Sequence, residues 1–279
     1  MLDVSDWTKV RKGTGSRPGY WVQDRESRWY LLKFPKEQAT QEGLFVTGEV
    51  GAEVLASHVG RWLGLPVPIA EPAIMNRRVG ALVRSFLGPG QELREGIDLA
   101  GSMPKDRLTV ARVLECLGHY TDRHLAVRGF IRMVCFDILT GNADRHQANW
   151  GVTLGNGGSA EMAPYYDNAA AFGSALDPRR LELHLREGLG RFDRQFRYEI
   201  LVREDAGKPG IQELLATVRQ LDPDMAGFNE LAANRTDDAI DQILASIDEP
   251  ESIMEPERWS FARVVLRSRR DILVARGDG

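Results

Sequence analysis

The sequence has few of the features that mark a specialised class of protein. It contains only two cysteines, Cys116 and Cys135, and neither lies in a CxxC motif or beside a histidine cluster. Both fall in helical patterns, so we interpret them as small buried hydrophobic residues and not as a disulfide or a zinc pair. The formal net charge of −4 gives no overall attraction to nucleic acid.

Long hydrophobic runs are also lacking. The apolar stretches are much too short to span a bilayer, and the acidic start of the chain, Met1–Trp7, has no signal-peptide core. We therefore expect a cytoplasmic protein that does not bind a membrane, although unconventional export as an effector would leave no signal to recognise. With 43% hydrophobic and 27% charged residues, the composition is typical of a globular protein and excludes a disordered one.

One basic run stands near the end of the sequence, at Arg267, Arg269 and Arg270. On a terminal helix such a run is usually a solvated face. Nucleic-acid binding through it is a weak alternative, because no aromatic platform or recognised motif accompanies these arginines.

The first 88 residues are predicted to be mainly β-structure with one helix. Residues 18–34 contain two β-rich runs joined by the polar stretch 24–27, which indicates a hairpin with Lys33 at its end. Leu55, Val59 and Trp62 then recur at helical spacing up to Gly64, and a second strand pair is expected within residues 70–86.

Beyond a linker at 87–91 the pattern becomes helical. Apolar residues mark helices near 110–117 and 127–138, the second ending at Gly141, and two strands at 150–154 and 162–167 form a hairpin within this helical region. The fold class is therefore α+β, with a β-rich N-lobe at 1–88 and a mostly helical C-lobe at 89–279.

Polar and charged residues crowd the segment TGNADRHQANWG at 140–151. Because adjacent strands lie about 4.8 Å apart, the predicted hairpin brings Asn149 and Asp167 side by side. Their amide and carboxylate oxygens are suitable ligands for Mg²⁺. Asp144, in the same loop, is placed to orient a substrate hydroxyl and accept its proton.

Each of these residues also has an ordinary structural interpretation. A single Asp or Asn in a loop usually caps a helix or closes a turn, but three of them at the two mouths of a hairpin favour a site. His146 either contacts the substrate or braces the loop by hydrogen bonds, and bracing is favoured because Asp144 already fills the role of base.

The run GNADRHQANWG followed by PYYDN resembles the catalytic and metal-binding segments of HipA-like serine/threonine kinases, and its DRHxxN core is also similar to that of phosphatidylinositol kinases. The resemblance covers about residues 13–200. The resemblance implies a bilobal protein-kinase-like fold and an enzyme that uses ATP and Mg²⁺. It gives Asp144 the role of catalytic base and makes Asn149 and Asp167 metal ligands.

The small lobe has matching features. Lys33, in YLLKFP, resembles the strand lysine that contacts nucleotide phosphates, and the helix after it resembles the one that carries its ion-pair partner. The resemblance gives that role to Glu53, with Glu49 in reserve. The ordinary alternatives are that Lys33 is a gatekeeper on an edge strand and that Glu53 is a solvated helix residue.

A glycine-containing loop precedes the Lys33 hairpin. Gly13, Gly15 and Gly19 would let backbone amides approach phosphates, but their spacing is not GxGxxG and glycines before a strand are often only turns. HipA-like kinases are controlled by phosphorylation of a serine in this loop. The resemblance therefore makes Ser16 a candidate for autophosphorylation, with Thr14 beside it.

The sequence also departs from ordinary protein kinases. It has the order Asp-Arg-His, Asn168 follows Asp167 where a glycine would be expected, and no APE-like motif follows. We expect a protein substrate with a Ser or Thr acceptor. The alternatives are a lipid or small-molecule kinase and a nucleotide-binding pseudokinase. An antitoxin-like partner is a further alternative. It is in doubt because we expect the sequence to begin directly with the nucleotide-binding lobe, without the extra N-terminal subdomain of HipA toxins.

Overall fold

The computed structural model describes residues 1–12, 19–40, 43–101, 104, 107–248 and 250–275. The chain divides into two compact units, each built from several stretches. The first comprises Met1–Phe86, Asp167–Gly188 and Asp237–Val264, and the second Leu87–Tyr166, Leu189–Thr236 and Val265–Gly279. The division into continuous lobes at 1–88 and 89–279 stays a prediction.

A six-stranded sheet forms much of the first unit. Its strands, together with those of a separate hairpin, are β1 (Leu2–Asp3), β2 (Thr8–Lys12), β3 (Gly19–Gln23), β4 (Trp29–Lys33), β5 (Glu37–Thr40), β6 (Gly43–Val46), β7 (Ala70–Met75) and β8 (Arg78–Arg84). The sheet has the order β1-β7-β8-β4-β3-β2, while β5 and β6 form the hairpin. β1 runs parallel to β7, and the other neighbouring strands are antiparallel.

The β3–β4 hairpin confirms the predicted strand pair and places Lys33. Its turn is closed by the Asp24 carboxylate, which accepts hydrogen bonds of 2.9 Å from the backbone N–H groups of Glu26 and Arg28. Gly19 pairs with Lys33, and a Cβ at Gly19 would lie 2.7 Å from a neighbouring carbonyl oxygen. Because β4 lies between β8 and β3 inside the sheet, the gatekeeper interpretation of Lys33 is wrong.

The first helix, α1 (Glu49–Trp62), packs against β7 and β8. Most of its side chains are buried, among them Val54, Leu55 and Val59. Ser57 fixes the helix to the sheet, since its hydroxyl donates to the Pro68 carbonyl just before β7 at 2.8 Å and accepts from the Ala70 N–H, the first of β7, at 2.9 Å. The helix ends before Gly64, whose φ of 69° confirms the predicted stop.

The remaining elements are β9 (Glu92–Glu95), α2 (Gly96–Leu99), α3 (Val110–Gly118), α4 (Arg123–Thr140), β10 (Gly151–Leu154), β11 (Ala160–Met162), α5 (Pro178–Glu187), α6 (Gly190–Gln195), α7 (Ile211–Leu221), α8 (Phe228–Ala233), α9 (Asp237–Ala245), α10 (Pro250–Ile253) and α11 (Pro256–Val274). A short 3₁₀ turn, Met225–Gly227, precedes α8. The predicted helices near 110–117 and 127–138 are confirmed as α3 and α4. The α+β class is confirmed as well.

The second unit is organised around α4. Its first turn is capped by Asp122, whose carboxylate accepts from two backbone N–H groups at 2.8 and 3.1 Å. Its last two turns are almost completely buried. The helix ends at Gly141, in the left-handed conformation with φ 71°, as the sequence predicts.

The hairpin of the second unit is shorter than predicted and belongs to a larger sheet. The second strand ends at Met162 and not at residue 167, because Pro164 has no N–H to donate to a strand partner. β9, which the sequence analysis missed, pairs with β10 and completes a three-stranded sheet in the order β11-β10-β9.

The two cysteines are buried and unbridged, which confirms their core interpretation. The solvated interpretation of the terminal arginine run is wrong for Arg269. Arg269 is fully buried, with Nη2 2.7 Å from Asp193 Oδ1 and its guanidinium 5.7 and 5.2 Å from the rings of Phe192 and Phe196. Burial lowers the pKa of Arg269, and Asp193 opposes that change. Among the described residues, no helix is both long and apolar enough to cross a membrane.

The contact between β9 and β10 generates a prediction about stability. A Cβ at Gly151 would lie 2.1 Å from the Arg94 carbonyl oxygen, so a side chain there must force the two strands apart. We expect Gly151→Ala to lower the free energy of unfolding by about 2–3 kcal/mol, although alanine in a strand normally costs less than glycine. Urea denaturation measures the change.

Gly118→Ala is the matched control, because a Cβ at Gly118 would meet no atom of the described residues within 4 Å outside the backbone of α3 itself. We expect its stability to stay within about 1 kcal/mol of the wild type. Equal urea midpoints for Gly151→Ala and the wild type would contradict the strand contact.

Candidate active site

Three charged side chains meet inside the first unit. Lys33 Nζ lies 2.9 Å from Glu53 Oε2 and 3.0 Å from Asp167 Oδ1. The exposed fractions of these side chains are 15% for Lys33, 3% for Glu53 and 25% for Asp167. We call this group the lysine cluster. One cation faces two carboxylates, so the cluster carries an excess negative charge that favours a further cation beside it.

Glu53 links the lysine cluster to the chain that follows Asp167. The residue is buried, so its interpretation as a solvated helix residue is wrong. While Oε2 binds Lys33, Oε1 accepts a hydrogen bond of 3.3 Å from the backbone N–H of Asn168. The reserve candidate Glu49 instead accepts from the Thr47 hydroxyl at 3.0 Å. The structure therefore brings Glu53, rather than Glu49, to Lys33.

Asp167 has a left-handed backbone, with φ 57°. This conformation costs most residues with a side chain about 1–2 kcal/mol, and Asp and Asn tolerate it best. The peptide groups on both sides are held, since Tyr166 O accepts from Arg145 and Asn168 N donates to Glu53. The strained backbone of Asp167 is therefore fixed by buried charged groups.

The polar loop, residues 141–150, follows α4 in the second unit. The backbone N–H of Asp144 donates to Asn142 Oδ1 at 3.2 Å, and its carbonyl oxygen accepts from His146 N at 3.0 Å and from Asn149 Nδ2 at 2.8 Å. These bonds fix the main chain of Asp144, whose side chain is half-buried. A carboxylate on a fixed backbone can orient a hydroxyl group and accept its proton.

Asn149 and His146 also shape this loop. Asn149 is 3% exposed, and the bond from its Nδ2 leaves Oδ1 as the acceptor end of the amide. His146 Nδ1 accepts from Ala148 N at 3.2 Å, and His146 O accepts from Asn149 N at 2.9 Å. These contacts support the bracing interpretation of His146, and its catalytic role stays a prediction.

Sequence reasoning missed a buried group that we call the arginine network: Asp137, Arg145 and Tyr198. Arg145 donates to both Asp137 oxygens, from Nε at 2.9 Å and from Nη2 at 2.6 Å, and the Tyr198 hydroxyl donates to Asp137 at 2.6 Å. All three residues are fully buried. Burial, and then the charge of Asp137, raise the pKa of Tyr198 well above its usual value, so its hydroxyl remains a donor.

One signal in the sequence pointed to this network. Asp137 is a charged residue within the apolar stretch 133–139 of α4, and such a residue needs a buried partner. The sequence does not say which residue supplies that partner.

Other predicted site residues remain untested by the geometry. Gly13, Thr14, Gly15 and Ser16 lie outside the described residues. Asn149 belongs to the second unit and Asp167 to the first, so their common role as metal ligands stays a prediction.

The lysine cluster generates a prediction about stability. Lys33→Met removes the cation and leaves Glu53 buried without its charged partner. We expect the free energy of unfolding to fall by about 1–3 kcal/mol, below the range for fully buried pairs because Asp167 is partly exposed. Lys36→Met is the control, since the Lys36 side chain is 30% exposed and its Nζ lies 3.9 Å from Glu49 Oε1. If the two variants unfold at the same urea concentration as the wild type, the cluster does not form in solution.

Comparison with known proteins gives the family and the fold. A model of the HipA-like C-terminal domain matches residues 12–247. The serine/threonine-protein kinase CtkA of Helicobacter pylori strain J99 is 26% identical over 173 residues, which make up 59% of this chain and 52% of CtkA. The match thus spans about half the length of that curated relative.

Solved structures show a similar fold. The crystal structure of the Helicobacter pylori proinflammatory kinase CtkA has a TM-score of 0.73 at 18% identity and covers 98% of this chain and 96% of its own. A chain of the Shewanella oneidensis MR-1 complex of HipA, HipB and operator DNA has a TM-score of 0.62 at 14% identity, covering 96% and 67%.

The Golgi casein kinase with Mn/ADP bound has a TM-score of 0.51 at 12% identity and covers 99% of this chain and 74% of its own. These likenesses confirm the predicted protein-kinase-like fold, with a β-rich N-terminal region and a helical C-terminal region. Because the family model matches most of the sequence, this protein belongs to the HipA-like C-terminal domain family.

Proposed function

We propose that this protein is an ATP- and magnesium-dependent serine/threonine protein kinase of the HipA-like type. The lysine cluster carries the proposal, because a partly buried ion pair between a strand lysine and a helix glutamate presents a fixed ammonium group beside a partly exposed aspartate. The relative CtkA is named a serine/threonine-protein kinase, which supports the same acceptor class.

In this proposal Lys33 binds the phosphates of ATP, and Glu53 keeps its ammonium group in place. Asp144 aligns the acceptor hydroxyl and takes its proton as the γ-phosphoryl group is transferred. Most of the catalytic effect then comes from positioning and charge, since phosphoryl transfer needs little covalent help from the protein.

The residues also fit a divalent cation. The Asn149 amide presents Oδ1 because its nitrogen is hydrogen-bonded, and Asp167 provides a carboxylate, so both offer the oxygen atoms that Mg²⁺ prefers. When bound, magnesium would neutralise phosphate charge during transfer. The Golgi casein kinase structure, named with Mn and ADP, supports a divalent metal and an adenine nucleotide on this fold.

The proposed function also implies an acceptor group and a protein partner. We propose a Ser or Thr side chain of a protein, with Ser16 or Thr14 of the chain itself as a further acceptor. The complex of HipA and HipB makes an antitoxin-like partner worth testing, although that likeness supports the fold alone.

A transfer assay tests the proposal. Wild type and Asp144→Asn are incubated with magnesium and γ-labelled ATP, with and without a mixed protein substrate, and phosphate is located by mass spectrometry. We expect phosphoserine or phosphothreonine in the wild type and a loss of about 100-fold or more in Asp144→Asn, because a positioned base contributes about that much.

Asp98→Asn is the matched control, since Asp98 is an exposed carboxylate of the same unit. Its rate should equal that of the wild type. Phosphate on added lipid or metabolite only would replace the protein-kinase proposal with the small-molecule alternative. ATP binding without any transfer would favour a pseudokinase, and equal rates in Asp144→Asn and the wild type would remove Asp144 from the mechanism.

A further inference from the structure

A single buried guanidinium group connects α4 to two backbone positions of the second unit. Besides its two bonds to Asp137, Arg145 donates from Nη1 to Asn149 O at 2.9 Å and to Tyr166 O. Arg145 and Asp137 are both fully buried. Arg145 therefore binds three parts of the unit: α4 through Asp137, the polar loop through Asn149 O, and the chain before Asp167 through Tyr166 O.

The two carbonyl groups are significant because of the residues beside them. Asn149 O belongs to a proposed metal ligand, and the Tyr166 carbonyl is part of the peptide group that joins Tyr166 to Asp167, the other proposed ligand. Both segments that carry a proposed ligand are thus bound to one planar guanidinium group. A shift of that side chain would move both segments.

Lysine cannot replace arginine in this position. The planar guanidinium offers five donors in a fixed fork, which binds both oxygens of a carboxylate and still reaches other acceptors, whereas an ammonium group is a compact point charge. The observed pattern uses Nε and Nη2 for Asp137 and Nη1 for the two carbonyls. A lysine would keep the charge beside Asp137 but lose this geometry.

The position of Asp137 makes the pairing necessary. It lies in the last turn of α4, where the helix dipole disfavours a negative charge, and it is shielded from water. Tyr198 and Asn142 donate to it at 2.6 and 3.3 Å, but only Arg145 among these three neutralises its charge. A buried ion pair adds little net stability compared with apolar packing. The geometry of this pair therefore says more about the role of Arg145 than its contribution to stability does.

We propose that Arg145 is a positioning residue that fixes the backbone at Asn149 and at the Tyr166–Asp167 peptide, and so sets the affinity of the site for its divalent cation. This inference rests on the proposed function, since it takes Asn149 and Asp167 as metal ligands. Arg145 itself is fully buried and binds a carboxylate and two backbone carbonyls. Its contribution is the orientation of the two proposed metal ligands.

The test compares Arg145→Lys with Arg269→Lys. Arg269 is also a fully buried arginine of the second unit paired with an aspartate, but its neighbours are Asp193 and two phenylalanine rings. The two variants therefore make the same chemical change at two buried arginines of the same unit, although Asp193 is 25% exposed and Asp137 is fully buried. A general loss of stability should affect both.

Two readouts that do not require catalysis are measured. The first is hydrogen exchange, by mass spectrometry, of peptides covering 144–150 and 163–168. The second is Mn²⁺ binding in the presence of ADP, followed by the electron paramagnetic resonance signal of free Mn²⁺. For Arg145→Lys we expect exchange to accelerate in both peptides and the apparent Kd for Mn²⁺ to rise about 10- to 100-fold, as for lost support of metal ligands.

In Arg269→Lys we expect the Mn²⁺ affinity to stay within about twofold of the wild type and the two peptides to keep their protection, since additivity predicts little coupling between separate groups. Wild-type protection and Mn²⁺ affinity in Arg145→Lys would overturn the proposal. An equal loss of affinity in Arg269→Lys would also overturn it, because the effect would then be general destabilisation.

A second variant keeps the proposal testable if Arg145→Lys does not fold. Asp137→Asn retains one oxygen acceptor for Arg145 and replaces the other oxygen with an NH₂ donor, so the guanidinium group should tilt. We then expect the Mn²⁺ affinity to fall severalfold. Unchanged affinity in this variant would overturn the proposal. If the wild type binds Mn²⁺ with ADP but transfers no phosphate, the kinase proposal fails while these comparisons still decide the role of Arg145. A wild type that binds no Mn²⁺ with ADP would overturn both.

Discussion

The ion pair between Lys33 and Glu53 is the constraint on which the rest of the candidate site depends. A charged group in the protein interior must have a charged partner, so β4 and α1 must lie where these two side chains meet at 2.9 Å. The same glutamate binds the backbone N–H of Asn168. One carboxylate thereby fixes the lysine that we assign to the nucleotide and the chain beside the aspartate that we assign to the metal.

The chain around Asp167 is held by buried charged side chains at several successive positions. Arg145 donates to Tyr166 O, and Glu53 accepts from Asn168 N. Arg258 donates to the carbonyl oxygens of Ser174 and Leu176. Such anchors maintain a left-handed residue that would otherwise relax to a commoner conformation. The geometry of the site is therefore part of the packing of each unit, and substitutions in these anchors should affect stability and function together.

The sequence was most informative where local chemistry decides the structure. The ends of α1 and α4 follow from glycines that adopt positive φ, and the β3–β4 hairpin follows from its polar turn. It was least informative where a partner comes from a distant segment. Tyr198 is 61 residues from Asp137, and Asp193, which pairs with Arg269, lies in another helix. No periodic pattern in the sequence reveals either pairing. The roles of Lys33 and Glu53 came from the family resemblance, whereas the role of Asp144 was already indicated by its place in the polar loop.

Calorimetric titration of the wild type and Asp167→Asn with ADP, in the presence and absence of Mg²⁺, tests whether the protein binds a nucleotide and whether Asp167 holds the divalent cation beside it. Asparagine suits the left-handed backbone of Asp167 but removes its charge, so the substitution changes the site with little strain. We expect ADP to bind the wild type, Mg²⁺ to tighten this binding, and the magnesium effect to be largely lost in Asp167→Asn. Absence of ADP binding, or an equal effect of Mg²⁺ in both proteins, would contradict these expectations.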